Sequence, residues 1–328
     1  MLALFGVLGF RLWNLQVAQG TEYQRRLAKQ SLRSVRVPGI RGRILDRRGE
    51  RLADNRPSYC VSLYVEELRR PGGVQRTVDS VLDTLDRIAE TMDRPRQLQA
   101  QDVRLHMSRR TPLPLVAWKD LDETAVARFV ERAAEFPGAK LTVEPVRIYP
   151  EGGAACHLLG YVGKVDVAAG APDEAGIEAE KFHYYLPEMA GKSGIERRLD
   201  GVLRANAGGR LEIQVDVAGF KFDEVSSRAP GRGSDVVLAV DARIQRAAEA
   251  VLADQRGAAV VIDPRNGDVL ALASAPGFDP NVFVPSVPAG VWGRLLKDPA
   301  RPLYNRATGG EYAPGSTFKP VTLLAALQ

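Results

Sequence analysis

The sequence predicts a multidomain α+β chain, and three observations carry that prediction. Its 328 residues, 45% hydrophobic and 26% charged, are enough for two ordinary domains with separate cores. Helix-period apolar runs at residues 78–92 and 124–134 lie between strand-like stretches at 58–65 and 141–149. Around Pro230-Gly231-Arg232-Gly233 the composition changes and the pattern becomes more regular, which marks a domain boundary.

The charge is local. The net charge is +5, yet residues 1–51 hold 11 Lys+Arg against 3 Asp+Glu, and the remainder is slightly acidic. A nucleic-acid-binding body would stripe its arginines over the folded part, and no such stripe occurs. The 36 Arg against 9 Lys, with 31 Gly and 21 Pro, read as a coding bias over a globular chain. Nucleic acid is therefore not an expected partner.

Residues 1–10 are continuously apolar or Gly, and Arg11 interrupts before Leu12 and Trp13. Ten residues do not span a bilayer, which takes about 20. A short signal-peptide core or a buried helix would explain the run, but no small-residue cleavage site follows it. The Arg-Leu-Trp end favours the exit of a signal anchor whose beginning is missing. Residues 1–20 are thus read as a truncated anchor and its exit, and the boundary near 230 divides the rest into a first domain over 21–230 and an incomplete second one over 231–328.

In chain order, residues 14–36 read as a polar, helical stalk that Pro38-Gly39 breaks. Arg41-Gly42-Arg43-Ile44-Leu45-Asp46-Arg47-Arg48-Gly49 starts as a strand and turns on Asp46 and Gly49. Past the boundary, residues 235–240 read as a strand, and Asp241 caps a helix over 242–253. Residues 258–262 and 269–273 form two small strands joined through Asn266-Gly267. Residues 278–302 read as a long, Pro-bearing loop, and 321–327 as a buried helix without a terminator. Cys60 and Cys156 have no metal spacing. One disulfide between them is possible, but strand character around Cys60 favours a buried free thiol. His106, His157 and His183 are scattered, and no metal or cofactor is expected.

Chemistry concentrates at Ser316-Thr317-Phe318-Lys319, an S-x-x-K pair. At i and i+3 on a helix the two side chains share a face, so a lysine amine can act as base for the serine hydroxyl. Pro320 is tolerated only in a first turn, so the helix begins near Ser316 and presents a positive end to a developing oxyanion. Thirteen Ser and nine Lys supply roughly 0.4 chance matches, so the spacing alone is weak. A helix-capping serine followed by a surface lysine explains it equally well. Pro314-Gly315 before the serine and the apolar helix after it favour the catalytic reading.

These residues fall within a wider resemblance. Arg41-Gly42-x-Ile44-x-Asp46-Arg47-x-Gly49-x-x-Leu52-Ala53 resembles the opening motif of the non-catalytic domain of class B penicillin-binding proteins. Gly160-Tyr161-Val162-Gly163 and Gly191-Lys192-Ser193-Gly194-Ile195-Glu196 resemble later landmarks of that domain, the last in its elongation-type form. Pro276-Gly277-Phe278-Asp279-Pro280-Asn281 and Asn305-Arg306-Ala307, leading to Ser316 and Lys319, resemble the opening of the transpeptidase domain.

The resemblance implies that residues 21–230 are an elongated, non-catalytic α+β pedestal of the dimerisation type with an inserted head, followed over 231–328 by the start of an α/β penicillin-binding transpeptidase domain. It implies a D,D-transpeptidase of cell-wall elongation on the extracytoplasmic side of the bacterial inner membrane. Ser316 would be the acyl-ester nucleophile and Lys319 the general base, with peptidoglycan stem peptides ending in D-Ala-D-Ala as substrate. β-Lactams would acylate the same serine. The implied membrane partners are a SEDS-family glycosyltransferase and the elongation machinery. In this family Arg41 to Gly49 is structural.

The chain departs from the family in lacking S-x-N anywhere and K-[TS]-G after Ser316. Lys192-Ser193-Gly194 has the right letters upstream, inside a pedestal landmark, and is read as a structural turn. The 328 residues are therefore expected to be inactive alone. A septal-type enzyme and a non-catalytic β-lactam sensor or scaffold are the competing readings. A soluble serine β-lactamase also uses S-x-x-K but has no need of the landmarks upstream.

Overall fold

The computed structural model describes residues 32–109, 112–165, 183–205, 209–215 and 221–327, with isolated positions between Gly6 and Asn14. Most of the proposed anchor and stalk lies outside the described residues. Among the described residues no helix is long and apolar enough to cross a membrane.

Where the stalk meets the described residues it is not helical. Leu32–Val37 forms strand β1, with Val35 fully buried, because a strand far along the chain pairs with it over its whole length. β2 spans Ile44–Leu45 and β3 spans Arg51–Leu63, antiparallel to each other across the predicted turn. Asp46 closes that turn by accepting N–H bonds from Arg48 and Glu50, each at 2.8 Å.

The head follows. Helix α1, Val74–Met92, buries Val78, Val81, Leu85, Ile88 and Met92 on one face, as its period predicts. Helix α2 is Ala100–Arg109, β4 is Leu115–Leu121 and α3 is Glu123–Glu131. Strand β5, Ala139–Ile148, pairs with β3 from Asp54 to Leu63, while β4 takes the opposite edge of β3. α1 and α3 pack on this sheet over Val61, Leu63, Trp118, Phe129 and Phe136. The buried Trp118 indole donates to Pro95 O at 3.0 Å.

The chain then returns to the base through α4 (Cys156–Leu159), β6 (Val162–Val165), β7 (Tyr184–Tyr185), β8 (Glu188–Gly191), α5 (Gly194–Arg198) and α6 (Asp200–Leu203). β9, Gly209–Val215, and β10, Lys221–Arg228, complete a sheet in the order β10-β9-β1-β7. β1 finds its partner here, antiparallel to β9 from Leu32↔Gln214 to Val37↔Gly209.

After the composition boundary, the predicted strand at 235–240 shortens to β11, Val236–Val237, which pairs parallel with β2. Helix α7, Ala242–Val251, is capped as predicted, with the Asp241 carboxylate accepting from Arg243 N. β12 (Gly257–Ile262) and β13 (Val269–Ala275) form the predicted antiparallel hairpin, turned by Gly267 N–H donating to Asp263 O at 2.9 Å. Gln245 of α7 straps this hairpin, bonding both N–H and C=O of Leu272 at 2.7 and 2.9 Å. The predicted loop over 278–302 contains helix α8, Ala289–Lys297. Its two glycines hide the helical signal, and packing of Leu295 beside buried Phe283 stabilises it. Short helix α9, Arg306–Gly309, and helix α10, Lys319–Leu327, end the described chain.

Candidate active site and the docking of its approach

Gly315, at φ +53, turns the chain into a 3-10 turn over Gly315–Phe318 that runs on into α10. Lys319 N–H donates to Ser316 C=O across that turn. In 3-10 geometry residues i and i+3 eclipse, so Ser316 and Lys319 stand above one another on one face. Pro320 is the second residue of α10, where its missing N–H costs nothing. The sequence-predicted pair is therefore together on one turn.

The expected burial of its surroundings is not found. Ser316 and Lys319 are exposed, and Leu323, Leu324 and Leu327 of α10 are 62%, 66% and 75% exposed. The predicted helix forms, and its apolar side chains are exposed because no other described element packs over them.

The approach to Ser316 rests on residues of the first region. Gly277 sits where a Cβ would come 2.9 Å from Cys156 Sγ. Phe278 N–H donates to that same sulfur at 3.4 Å. Asn281 bonds the Tyr149 backbone twice, its Nδ2 to Tyr149 O and its Oδ1 from Tyr149 N, both at 2.9 Å. Phe283 stacks on Tyr161 with centroids 4.0 Å apart. The motif 276–281 is thus a docking sequence. Sequence reasoning missed its receptors, Tyr149, Cys156 and His157. The adjacency of Cys156-His157 to the Gly160-Tyr161 landmark was the available signal.

The upstream landmarks also converge. β6 pairs with β8 from Val162↔Gly191 to Val165↔Glu188, which joins the two glycine-rich motifs edge to edge. A Cβ on Gly191 would collide with the backbone carbonyl of Glu196. Glu196, fully buried, accepts from Arg41 Nε at 2.6 Å, Arg147 Nε at 2.8 Å and Tyr149 Oη at 3.3 Å. Burial, then the Glu196 charge, pushes the Tyr149 phenol far up, so it stays protonated and donates. Ser193 and Gly194 belong to this joint, at the start of α5, as a structural turn.

A second joint ties the opening motif to α7. Asp46 Oδ2 accepts from Ala242 N at 3.2 Å, and Arg48 Nε donates to Asp241 at 3.0 Å. The hydrogen bond from Arg243, with its charge and that of Arg48, holds the Asp241 carboxyl well below the usual range. Ala242 shares the apolar cluster of Ile44, Leu52, Tyr149 and Leu203.

Two domains with these landmarks define the chain's class. It belongs to the class B penicillin-binding proteins: residues 36–238 match the family described as the penicillin-binding protein dimerisation domain, and residues 257–328 the penicillin binding protein transpeptidase domain. It is 36% identical over 330 residues to the peptidoglycan D,D-transpeptidase MrdA of Escherichia coli strain K12, covering 100% of this chain and 50% of that protein. The fold is similar to PBP2 of Helicobacter pylori in its complex with MreC, with a TM-score of 0.65, 23% identity, and coverage of 90% of this chain and 52% of that one. It is also similar to a chain from a peptidoglycan synthase complex that coordinates polymerization and crosslinking, with a TM-score of 0.59, 30% identity, and coverage of 99% and 53%. The chain spans about half the length of the curated relatives it matches.

Proposed function

We propose that the whole protein is a serine-type D,D-transpeptidase of cell-wall elongation. The observation that carries this reading is the stacking of Ser316 and Lys319 on one turn inside the transpeptidase match. The elongation type is supported by the Gly191-Lys192-Ser193-Gly194-Ile195-Glu196 form and by the MrdA relative.

In this reading Ser316 Oγ attacks the carbonyl carbon of the penultimate D-Ala of a stem peptide, while the Lys319 amine takes the hydroxyl proton. The C–N bond to the terminal D-Ala breaks, and that proton leaves with the departing amine. The acyl ester on Ser316 then waits for an amine from a neighbouring stem, which attacks the ester carbonyl and restores the serine hydroxyl. A β-lactam ring presents the same acyl carbon to Ser316 but leaves a stable ester. Residues 21–230 serve as the pedestal and 231–328 as the first part of the catalytic domain. The apolar run at 1–10 with Trp13 is part of a single N-terminal anchor that holds the enzyme on the extracytoplasmic face of the inner membrane. Its partners are the elongation machinery and the SEDS-family glycosyltransferase that the resemblance implies, a reading in keeping with the MreC complex of one similar protein and the peptidoglycan synthase complex of another.

Fluorescent-penicillin labelling of the full-length protein tests the reading. One label per molecule is expected, and none in Ser316→Ala. Labelling that survives the substitution sinks the assignment of Ser316.

A further inference from the structure

Between the end of β13 at Ala275 and Ser316, forty residues run with only short helical pieces. Such a segment takes its position from what it packs on. Two adjacent residues of α4 hold it at two points. At the start, Phe278 N–H donates to Cys156 Sγ at 3.4 Å, and the Phe278 ring meets the His157 ring edge-on at 5.4 Å. Further along, His157 Nε2 lies 2.8 Å from Pro302 O, with the ring buried. A carbonyl only accepts, so Nε2 carries the proton and Nδ1 presents its lone pair to Cys156 Sγ, 3.4 Å away.

The bonds form one relay: Phe278 N–H to the sulfur, S–H to Nδ1, and Nε2–H to the Pro302 carbonyl. Burial, and after it the Arg306 charge, lower the imidazole's proton affinity against the opposing pull of the Pro302 and Ser274 carbonyls, a direction that favours the neutral ring of the relay. Burial pushes the Cys156 thiol up to about 11, so its proton is in place. Beyond Pro302 the chain stays on the same residue. Asn305 Nδ2 bonds His157 O at 3.5 Å, while Asn305 Oδ1 caps α9 by accepting from Ala307 N at 3.0 Å. Ten residues then lead to Ser316.

We propose that Cys156 and His157 form the joint through which the pedestal sets the position of the nucleophile, with His157 as a positioning residue for acylation. The proposal rests on the reading of Ser316 as that nucleophile. His157 touches neither substrate nor Ser316. It acts by holding Phe278 and Pro302 in a fixed relation, and small misplacements of a reacting group are enough to slow a reaction steeply.

The test is the acylation rate of the full-length protein by a fluorescent penicillin, taken as a function of drug concentration so that binding and the limiting rate separate. His157→Phe keeps the ring packing and removes both hydrogen bonds. It is expected to cut the limiting rate by about tenfold or more while still reaching one label per molecule. His157→Gln can donate to Pro302 O and is expected to recover most of the rate. Cys156→Ala breaks the sulfur links and is expected to fall between them, which decides the matter if His157→Phe does not fold. Wild-type rates in His157→Phe and Cys156→Ala overturn the joint, and so does a His157→Gln variant as slow as His157→Phe. Ser316→Ala runs alongside: labelling that survives there overturns the nucleophile assignment instead.

Discussion

Arg41 and Glu196 lie 155 positions apart in sequence and meet at 2.6 Å, with the Arg41 side chain 7% exposed and the Glu196 side chain fully buried. Arg41 Nη2 also bonds Glu196 O at 2.8 Å, and Nη1 bonds Asp200 at 2.7 Å. Arg147 reaches the same carboxylate and spends Nη1 on Gly42 O at 2.6 Å. One carboxylate thus fastens the opening motif, β5 and the Gly191 landmark to one another.

Removing that carboxylate leaves the buried Arg147 guanidinium without its charge partner and Arg41 with Asp200 alone. Glu196→Ala is expected to destabilise the protein by about 3–5 kcal/mol, because uncompensated buried charge is costly. Urea unfolding of the purified protein measures this, and a loss below about 1 kcal/mol would show that the network carries little.

Gly191 has no room for a methyl group, whereas Gly201 on α6 has nothing within 4 Å of its missing Cβ. Gly191→Ala should cost about 2 kcal/mol or more through backbone displacement. Gly201→Ala should be neutral or slightly stabilising. Thermal melts of the two variants side by side check the contrast, and equal melts would refute it.

Both cysteines are free and buried. Burial raises the Cys60 thiol, and it pushes Cys156 from about 9 up to about 11. The native protein should therefore react slowly with a chromogenic disulfide at pH 8, and unfolding should release two thiols. The sign of the linkage follows: an unfolded chain gives up the Cys156 proton near pH 9, and the folded one holds it until about 11. Stability from this group is complete below pH 9 and declines between 9 and 11. Denaturation midpoints of wild type and Cys156→Ala across that range should converge as pH rises, and parallel curves would count against it.

Lys319→Ala in the full-length protein should slow penicillin acylation by about 100-fold or more, the scale of a lost general base. The 328-residue chain alone, with no K-[TS]-G motif after Ser316, should not acquire a label. Stoichiometric labelling of it would show that Ser316 and Lys319 suffice by themselves.

Much of this was legible before any coordinates. The one-face apolar period of 78–92, the cap at Asp241, the turn at Asp46 and the restriction that Pro320 imposes on Ser316 are set by dihedral preferences and hydrogen bonds within a few residues. Such signals survive in a linear reading because their causes are local. The resemblance to class B penicillin-binding proteins also rested on short ordered motifs, which is why the family could be named from sequence.

Other features had no local cause. β1 is a strand because Gly209–Val215 lies beside it, and α8 is a helix, despite two glycines, because Leu295 packs beside Phe283. α10 is exposed because no described element covers it, which its own apolar run could not reveal. His157 looked like a stray histidine until the fold set Pro302 at 2.8 Å from its ring. By itself the sequence determined the elements whose causes are local, the family and the candidate nucleophile with its base. Only the tertiary structure decided what each motif holds, because those contacts join residues distant in sequence, many of them more than a hundred positions apart, and burial makes such pairs tight by removing the water that would otherwise satisfy them.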